Sequence, residues 1–356
     1  MKKVLIYKLM YINAILLFTL CFSLMACSSQ KNVRNKNYNK QWAIYNSGQI
    51  VNGKKGKQGI DINIQKTWKK TKGVKNIIVA VLDTGIDKTD PNIKKSIYKN
   101  KNEKLDGRDN DHNGYIDDIS GWDFYHKNNT VYDDYISDAH GTYIANILAG
   151  SHQKDSYFGV APGITILPVK ILHGADGNLE DIPEAIDYAY NRGARIFNCS
   201  FDFEANNKAI YKKMKKYSDA VFVCAGGKAG VNLDKYPIYP ACYQLKNIIS
   251  VGAINSKGEL YNASGYGKII DIYAPGENIE VEIGKGDRTF VDGTSAATAY
   301  VSGAFALLKS IDSKISNDEI KDIIIKYSYS LENKKKEVID INILNVDKAS
   351  EKMKRR

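Results

Sequence analysis

Three short segments each pair a reactive side chain with glycine. Asp83 ends the apolar run Val79-Ala80-Val81-Leu82 and is followed by Thr84-Gly85. His140 lies in Asp138-Ala139-His140-Gly141-Thr142, ahead of a small and apolar stretch that it opens as a helix. Ser295 follows Asp292-Gly293-Thr294 and precedes Ala296-Ala297. A hydroxyl becomes a nucleophile when a base takes its proton and a carboxylate holds that base in the right tautomer. One Asp, one His and one Ser can fill those three roles. At a helix start, Ser295 would also lie beside backbone N–H groups that are free to receive an oxyanion.

Taken singly, each segment has an ordinary reading. An Asp after a strand serves as a turn residue, and Gly-Thr-Ser is a common helix-cap pattern. Asp-Thr-Gly also matches the motif of aspartic proteases, whose chemistry needs two carboxylates sharing one proton. No second Asp-Thr-Gly or Asp-Ser-Gly occurs in the chain, and that reading leaves the His and Ser segments without a role.

The elements that must position these groups alternate along the chain. Residues 77–82, 164–169, 196–199, 220–224 and 248–251 are short, continuous and rich in β-branched residues, as parallel strands buried on both faces are. Helical patterns lie between them. Residues 179–191 place Ile182, Ala185, Ile186 and Ala189 on one face and stop at Gly193. Residues 138–148 and 295–309 are further helices by the same periodicity. Strands alternating with helices predict an α/β sandwich with a mostly parallel sheet and helices on both faces. In such sheets, sites assemble at the C-terminal ends of strands, where Asp83 lies.

The order Asp, His, Ser and the segments around it resemble the subtilisin family of serine proteases. The resemblance begins at Gln41-Trp42 and takes in Gly59-Ile60-Asp61-Ile62-Asn63, Trp68, Tyr239-Pro240-Ala241, residues 248–253, Ala274-Pro275-Gly276 and Asp340-Ile341-Asn342 to Ala349. It implies a subtilisin-like three-layer fold over residues 41–350. It makes Ser295 the nucleophile, His140 the general base and Asp83 its orienter. It makes Ser200 and Phe201 an edge that pairs with a substrate backbone, and residues 173–178, with Gly174, Asp176 and Gly177, the opposite wall. An extended peptide or protein segment would lie between them as an added strand.

Departures from the family pattern are equally specific. Gly227 stands where the family has the Asn whose amide completes the oxyanion hole, a loss of about 10²–10³ in turnover in subtilisin. Lys228, Asn232 or a backbone N–H is the candidate substitute. Ala299-Tyr300 replace a Pro and a His in the nucleophile helix, and Asp202 replaces a Gly, which favours basic side chains in the cleft. Only residues 28–40 lie between the leader and the domain, so no inhibitory propeptide is expected. Two readings follow: a serine endopeptidase with an atypical oxyanion hole, and a catalytically impaired pseudoprotease acting as a lipid-anchored peptide-binding module.

The loop 106–118 alternates Asp109, Asp111 and Asn113 before Gly114, like the first half of an EF-hand. The twelfth position is Ser120 rather than Glu, so Asp117 and Asp118 are the later ligands expected. Similar acidic loops in subtilases bind calcium, and a structural calcium is the one cofactor expected. His112, His126, His152 and His173 have no metal-like spacing and read as loop residues.

Composition bounds the rest. With 43% hydrophobic and 26% charged residues, the chain is globular rather than disordered or collagenous. Lys2, Lys3 and Lys8, an apolar tract and Leu24-Met25-Ala26-Cys27 read as a lipoprotein signal over residues 1–26. Cys27 would carry the lipid, and residues 27–40 would form a polar tether. A membrane-anchored, extracytoplasmic monomer is expected, or a secreted one if Cys27 is not lipidated. Removing the leader leaves 48 basic against 40 acidic residues, a modest excess suited to anionic lipid. No basic helix with interleaved aromatics suggests nucleic acid. Residues 351–356 are a basic tail. Cys199, Cys224 and Cys242 remain, an odd number; Cys199 and Cys224 lie in apolar runs and read as small core residues rather than a disulfide framework.

Overall fold

The computed structural model describes residues 41–153, 157–283, 287–332 and 340–353. The leader, Cys27, the tether and residues 354–356 lie outside the described residues. Among those described, no helix is long and apolar enough to cross a membrane.

The five Val- and Ile-rich runs join four further strands in a nine-stranded sheet: β1 (Ile78–Asp83), β2 (Trp122–Asp123), β3 (Thr165–Lys170), β4 (Ile196–Cys199), β5 (Val221–Ala225), β6 (Ile248–Ile254), β7 (Ile272–Pro275), β8 (Tyr329–Glu332) and β9 (Asp340–Ile343). Their order is β8-β9-β7-β6-β5-β4-β1-β3-β2, parallel throughout except for β8, which runs antiparallel to β9. Besides the one-turn helix Thr67–Lys70, the helices among the described residues are α1 (Tyr135–Ala149), α2 (Ile182–Asn191), α3 (Lys208–Lys216), α4 (Thr294–Ile311), α5 (Asn317–Lys326) and α6 (Val346–Lys352). This is the α/β architecture read from the alternating pattern.

A strand turns successive side chains to opposite faces. Val79 and Val81 join a core with Ile144 and Leu148 of α1 and Val301 and Phe305 of α4. Ala80 and Leu82 join a second core with Ile182 and Ile186 of α2 and Ile210 and Met214 of α3. Both layers are therefore apolar, each fully buried Val, Leu or Ile contributing roughly 1.5–3 kcal/mol. The same alternation turns Asp83 toward α1 and α4.

Element ends depart from the periodicity where polar groups decide them. Helix α1 begins at Tyr135, three residues before the expected start, because Asp134 caps it by accepting the Ser137 N–H at 2.9 Å. His140 therefore stands in the second helical turn and does not open the helix. Helix α2 begins at Ile182 with Pro183 in its first turn. The strands β7, β8 and β9 and the hairpin pairing Ile279–Ile283 with Asp287–Val291 lie outside the five expected runs. They are short, or alternate Ile and Val with Glu, so no continuous apolar run marks them. Cys199 and Cys224 face each other on neighbouring strands as buried free thiols, and Cys242 is also free.

Candidate active site

Asp83 is 1% exposed at the end of β1, directed at the helix layer that carries His140 and Ser295. Helix α1 crosses close by because Gly141 has no side chain. A Cβ there would lie 2.2 Å from the Gly85 carbonyl oxygen and 3.2 Å from Asp83 Cβ. That approach leaves His140 Nδ1 at 2.7 Å from Asp83 Oδ1. A carboxylate facing Nδ1 holds the proton there and leaves Nε2 as the basic nitrogen. Asp83 Oδ1 also accepts the Thr84 N–H, at 2.7 Å, whereas Oδ2 is buried with no hydrogen-bond partner. Burial disfavours the charged imidazole and the nearby Lys228 ammonium opposes it. The charge and hydrogen bond of Asp83 outweigh both and raise the His140 pKa above 6.5.

Ser295 is the second residue of α4, after Gly293 at the cap with φ of 141°. Its hydroxyl donates to the Ser200 carbonyl at 3.1 Å, while the Ser200 hydroxyl donates to the Ser295 carbonyl at 3.2 Å. Ser200 is itself fixed from below. Asn198 Nδ2 donates to Ser200 Oγ at 2.9 Å, and the Ser302 hydroxyl donates to Asn198 Oδ1 at 2.9 Å. A buried polar chain thus ties the end of β4 to the first turn of α4. In this conformation the Ser295 hydroxyl is directed to Ser200 and not hydrogen-bonded to His140.

His140 and Ser295 line one cleft of about 720 Å³. One wall carries Leu172, Gly174 and Gly177, the other Ser200, Phe201 and Asp202. Lys228 lines the same cleft, whereas Asn232 turns its carbonyl to the Asp234 N–H at 2.9 Å. Asp176 is not among the lining residues; at the hairpin tip its carboxylate accepts the Tyr125 hydroxyl at 2.8 Å. Desolvation by the cleft walls raises the Asp202 pKa, with Glu204 adding to the rise and Lys228 opposing it. Gly227 lies just behind the cleft with φ of +75°, and its carbonyl accepts the Thr294 hydroxyl at 3.2 Å. A Cβ on it would stand 2.3 Å from Ile238 Cδ1 and 3.7 Å from Asp202 Cγ.

A model of the Subtilase family matches residues 74–345, a span that contains all three reactive residues. The chain belongs to this family. The major intracellular serine protease of Bacillus subtilis (strain 168) is 32% identical over 286 residues, covering 76% of this chain and 82% of that protein. The cell wall-associated protease of the same strain is 29% identical over 321 residues, covering 89% of this chain but 31% of that longer protein. Two solved structures share the fold. A cold adapted subtilisin-like serine proteinase superposes with a TM-score of 0.66 at 18% identity, covering 86% of this chain and 98% of that one. A prenylagaramide maturation protease superposes with a TM-score of 0.63 at 24% identity, covering 82% and 99%.

In this subtilase Tyr300 of α4 is buried and shares a hydrogen bond of 3.1 Å with the buried Tyr157 hydroxyl. The aromatic thus fills the position with an internal polar partner. Sequence reasoning singled out Tyr300 but had no signal for Tyr157, 143 residues away.

The acidic loop of the subtilase is internally braced. Asp109 accepts the Asn113 and Gly114 N–H groups at 3.0 and 2.8 Å. Asp111 and Asp118 both pair with Arg192, at 2.7 and 2.9 Å. Asp117 accepts the Asp106 and Gly107 N–H groups, and Asn113 Oδ1 accepts the Tyr115 N–H at 2.6 Å. The carboxylates whose oxygens lie within 4.8 Å of one another are those of Asp109, Asp111 and the buried Glu103. Glu103 stands outside the alternating motif, so spacing alone did not mark it.

Proposed function

We propose that this subtilase is a serine endopeptidase acting on extended segments of exported or surface polypeptides. Ser295 is the nucleophile, His140 the general base and Asp83 the group that orients it. The observation that carries the reading is the 2.7 Å Asp83–His140 contact opening on the cleft that also holds Ser295 at a helix N-terminus. A peptide strand lies between the edge at Ser200–Asp202 and the wall at Leu172–Gly177, held by main-chain bonds. As the acyl carbon arrives, the Ser295 hydroxyl turns from the Ser200 carbonyl to His140 Nε2. Such catalytic bonds commonly tighten only in the substrate complex. His140 takes the proton, Ser295 Oγ bonds to the carbonyl carbon, and the backbone N–H of Ser295 donates to the oxyanion. The imidazolium passes its proton to the leaving amine, and water hydrolyses the acyl-enzyme by the same base. Asp202 in the cleft favours basic substrate side chains. A lipid on Cys27 would hold the enzyme at the extracytoplasmic membrane face.

Cleavage of a fluorogenic peptide series tests this reading. The rate rises with pH as His140 loses its proton, and the raised imidazole pKa places that limb above 6.5. Loss of the limb in His140→Ala is expected. A flat profile through this range, or no hydrolysis of any peptide, contradicts the reading. The impaired, peptide-binding alternative draws on Gly227, which has no side-chain amide to offer. It predicts saturable peptide binding without turnover.

The proposal includes a structural calcium held by Glu103, Asp109 and Asp111. Calcium–oxygen bonds of about 2.3–2.6 Å allow ligand oxygens up to ~5 Å apart, which these three satisfy. Calcium at 100 times its Kd would add about 2.7 kcal/mol of stability. A rise in Tm at millimolar calcium that disappears in Asp109→Asn is expected. An unchanged Tm means Arg192 alone balances the loop.

A further inference from the structure

We propose a second metal site, for a transition metal such as Zn2+, formed by His126, Asp133 and His173. These residues come from three separate segments: the turn after β2, the loop before α1 and the hairpin after β3. His126 Nδ1 lies 3.4 Å from Asp133 Oδ2, and His173 Nδ1 lies 3.7 Å from the same oxygen. One donor atom from each of His126, Asp133 and His173 falls within 4.8 Å of the others. Zinc bonds of about 2.0–2.2 Å in a tetrahedron set their donors ~3.4 Å apart, so these gaps need little closure. Asp123 is not among these mutually close donors; its Oδ2 is hydrogen-bonded to His126 Nδ1 at 2.7 Å, so that bond must open for Nδ1 to bind, and a water would complete the tetrahedron.

Two further observations point to a cation here. His173 Nδ1 is buried with no hydrogen-bond partner, although it faces a carboxylate. The charges are also unbalanced. Lys170 Nζ is paired with Asp138 and lies 3.4 Å from Asp133 Oδ2. Among the described residues it is the one ammonium paired with Asp133 and Asp138, and Asp123 and Asp134 add further carboxylates beside the two imidazoles, so negative charge is in excess. A divalent ion bound by neutral imidazoles offsets that excess. Ligating imidazole nitrogens carry no proton, so metal binding at such a site releases protons. Tyr125 stacks on His173 with ring centroids 5.6 Å apart and limits the ring's freedom.

The site lies behind the cleft wall. His173 stands between Leu172 and Gly174, both lining residues, and the Gly174 N–H already donates to the Ser137 carbonyl of α1 at 2.9 Å. An ion would clamp the substrate-facing hairpin to the helix that carries His140.

The test is titration of the full, chelator-stripped chain with Zn2+ by calorimetry and with Co2+ by visible absorption. One Zn2+ per chain with proton release, and the intense visible bands of four-coordinate Co2+, are expected. His126→Ala and His173→Ala, checked for folding by circular dichroism, should each weaken binding by more than the roughly 10–100-fold that outer-shell partners cost. Asp109→Asn in the acidic loop should leave Zn2+ affinity unchanged. Absence of stoichiometric binding, or Zn2+ affinity that survives in both histidine variants, would overturn the site. In that case the cluster is a network of imidazolium–carboxylate pairs.

Discussion

Ser295→Ala eliminates peptide hydrolysis while leaving the fold intact. In subtilisin, removal of the serine or of the histidine costs about 10⁶ in kcat. A loss of that order is expected here from a subtilase whose hydroxyl is the attacking group. The structural cost is small, because only the bond from Ser295 Oγ to the Ser200 carbonyl is lost, worth about 1 kcal/mol. The reciprocal bond from the Ser200 hydroxyl to the Ser295 main chain survives and keeps the cleft edge on α4. A drop in turnover with a Tm lowered by no more than about 2–4 °C therefore separates chemistry from stability. Turnover equal to that of the wild type would remove Ser295 from the mechanism.

Gly227→Asn combined with Ile238→Val raises kcat by about 10²–10³, the amount attached to one side-chain oxyanion donor. The pairing of substitutions follows from local geometry. Gly227 has φ of +75°, a conformation that Asn tolerates better than most residues. Its new Cβ, however, would meet Ile238 Cδ1 at 2.3 Å, so Gly227→Asn alone gains less. Ile238→Val removes that methyl group. No gain in the double variant means that a donor already acts at this place, and Lys228 is the cleft cation positioned to do so. Lys228→Met in the wild-type background would then lower kcat.

Much of this was legible in sequence because it depends on local patterning. Continuous β-branched runs marked five sheet strands, and the end of the first run marked Asp83 as lying where such sheets assemble sites. Glycine beside each reactive residue was visible too, whereas the close approach of Gly141 to Gly85 appears only in the fold. What was not legible depends on partners distant in sequence. Asp134 moves the start of α1, so His140 belongs to its second turn. Glu103 joins Asp109 and Asp111 only because the loop folds back on itself. His126 and His173 looked like isolated loop residues, and only the sheet brings them to one carboxylate. The left-handed backbone of Gly227, and with it the need to change Ile238, is likewise a product of tertiary packing.

The proposed mechanism makes Ser295 a nucleophile activated by the His140–Asp83 pair. A phosphonate serine probe, incubated with the folded chain and followed by peptide mass mapping, separates this role from a purely structural one. One adduct is expected, on Ser295, formed faster above the His140 pKa and absent in His140→Ala. Failure of the wild type to be labelled, or an adduct on any other serine, would contradict it.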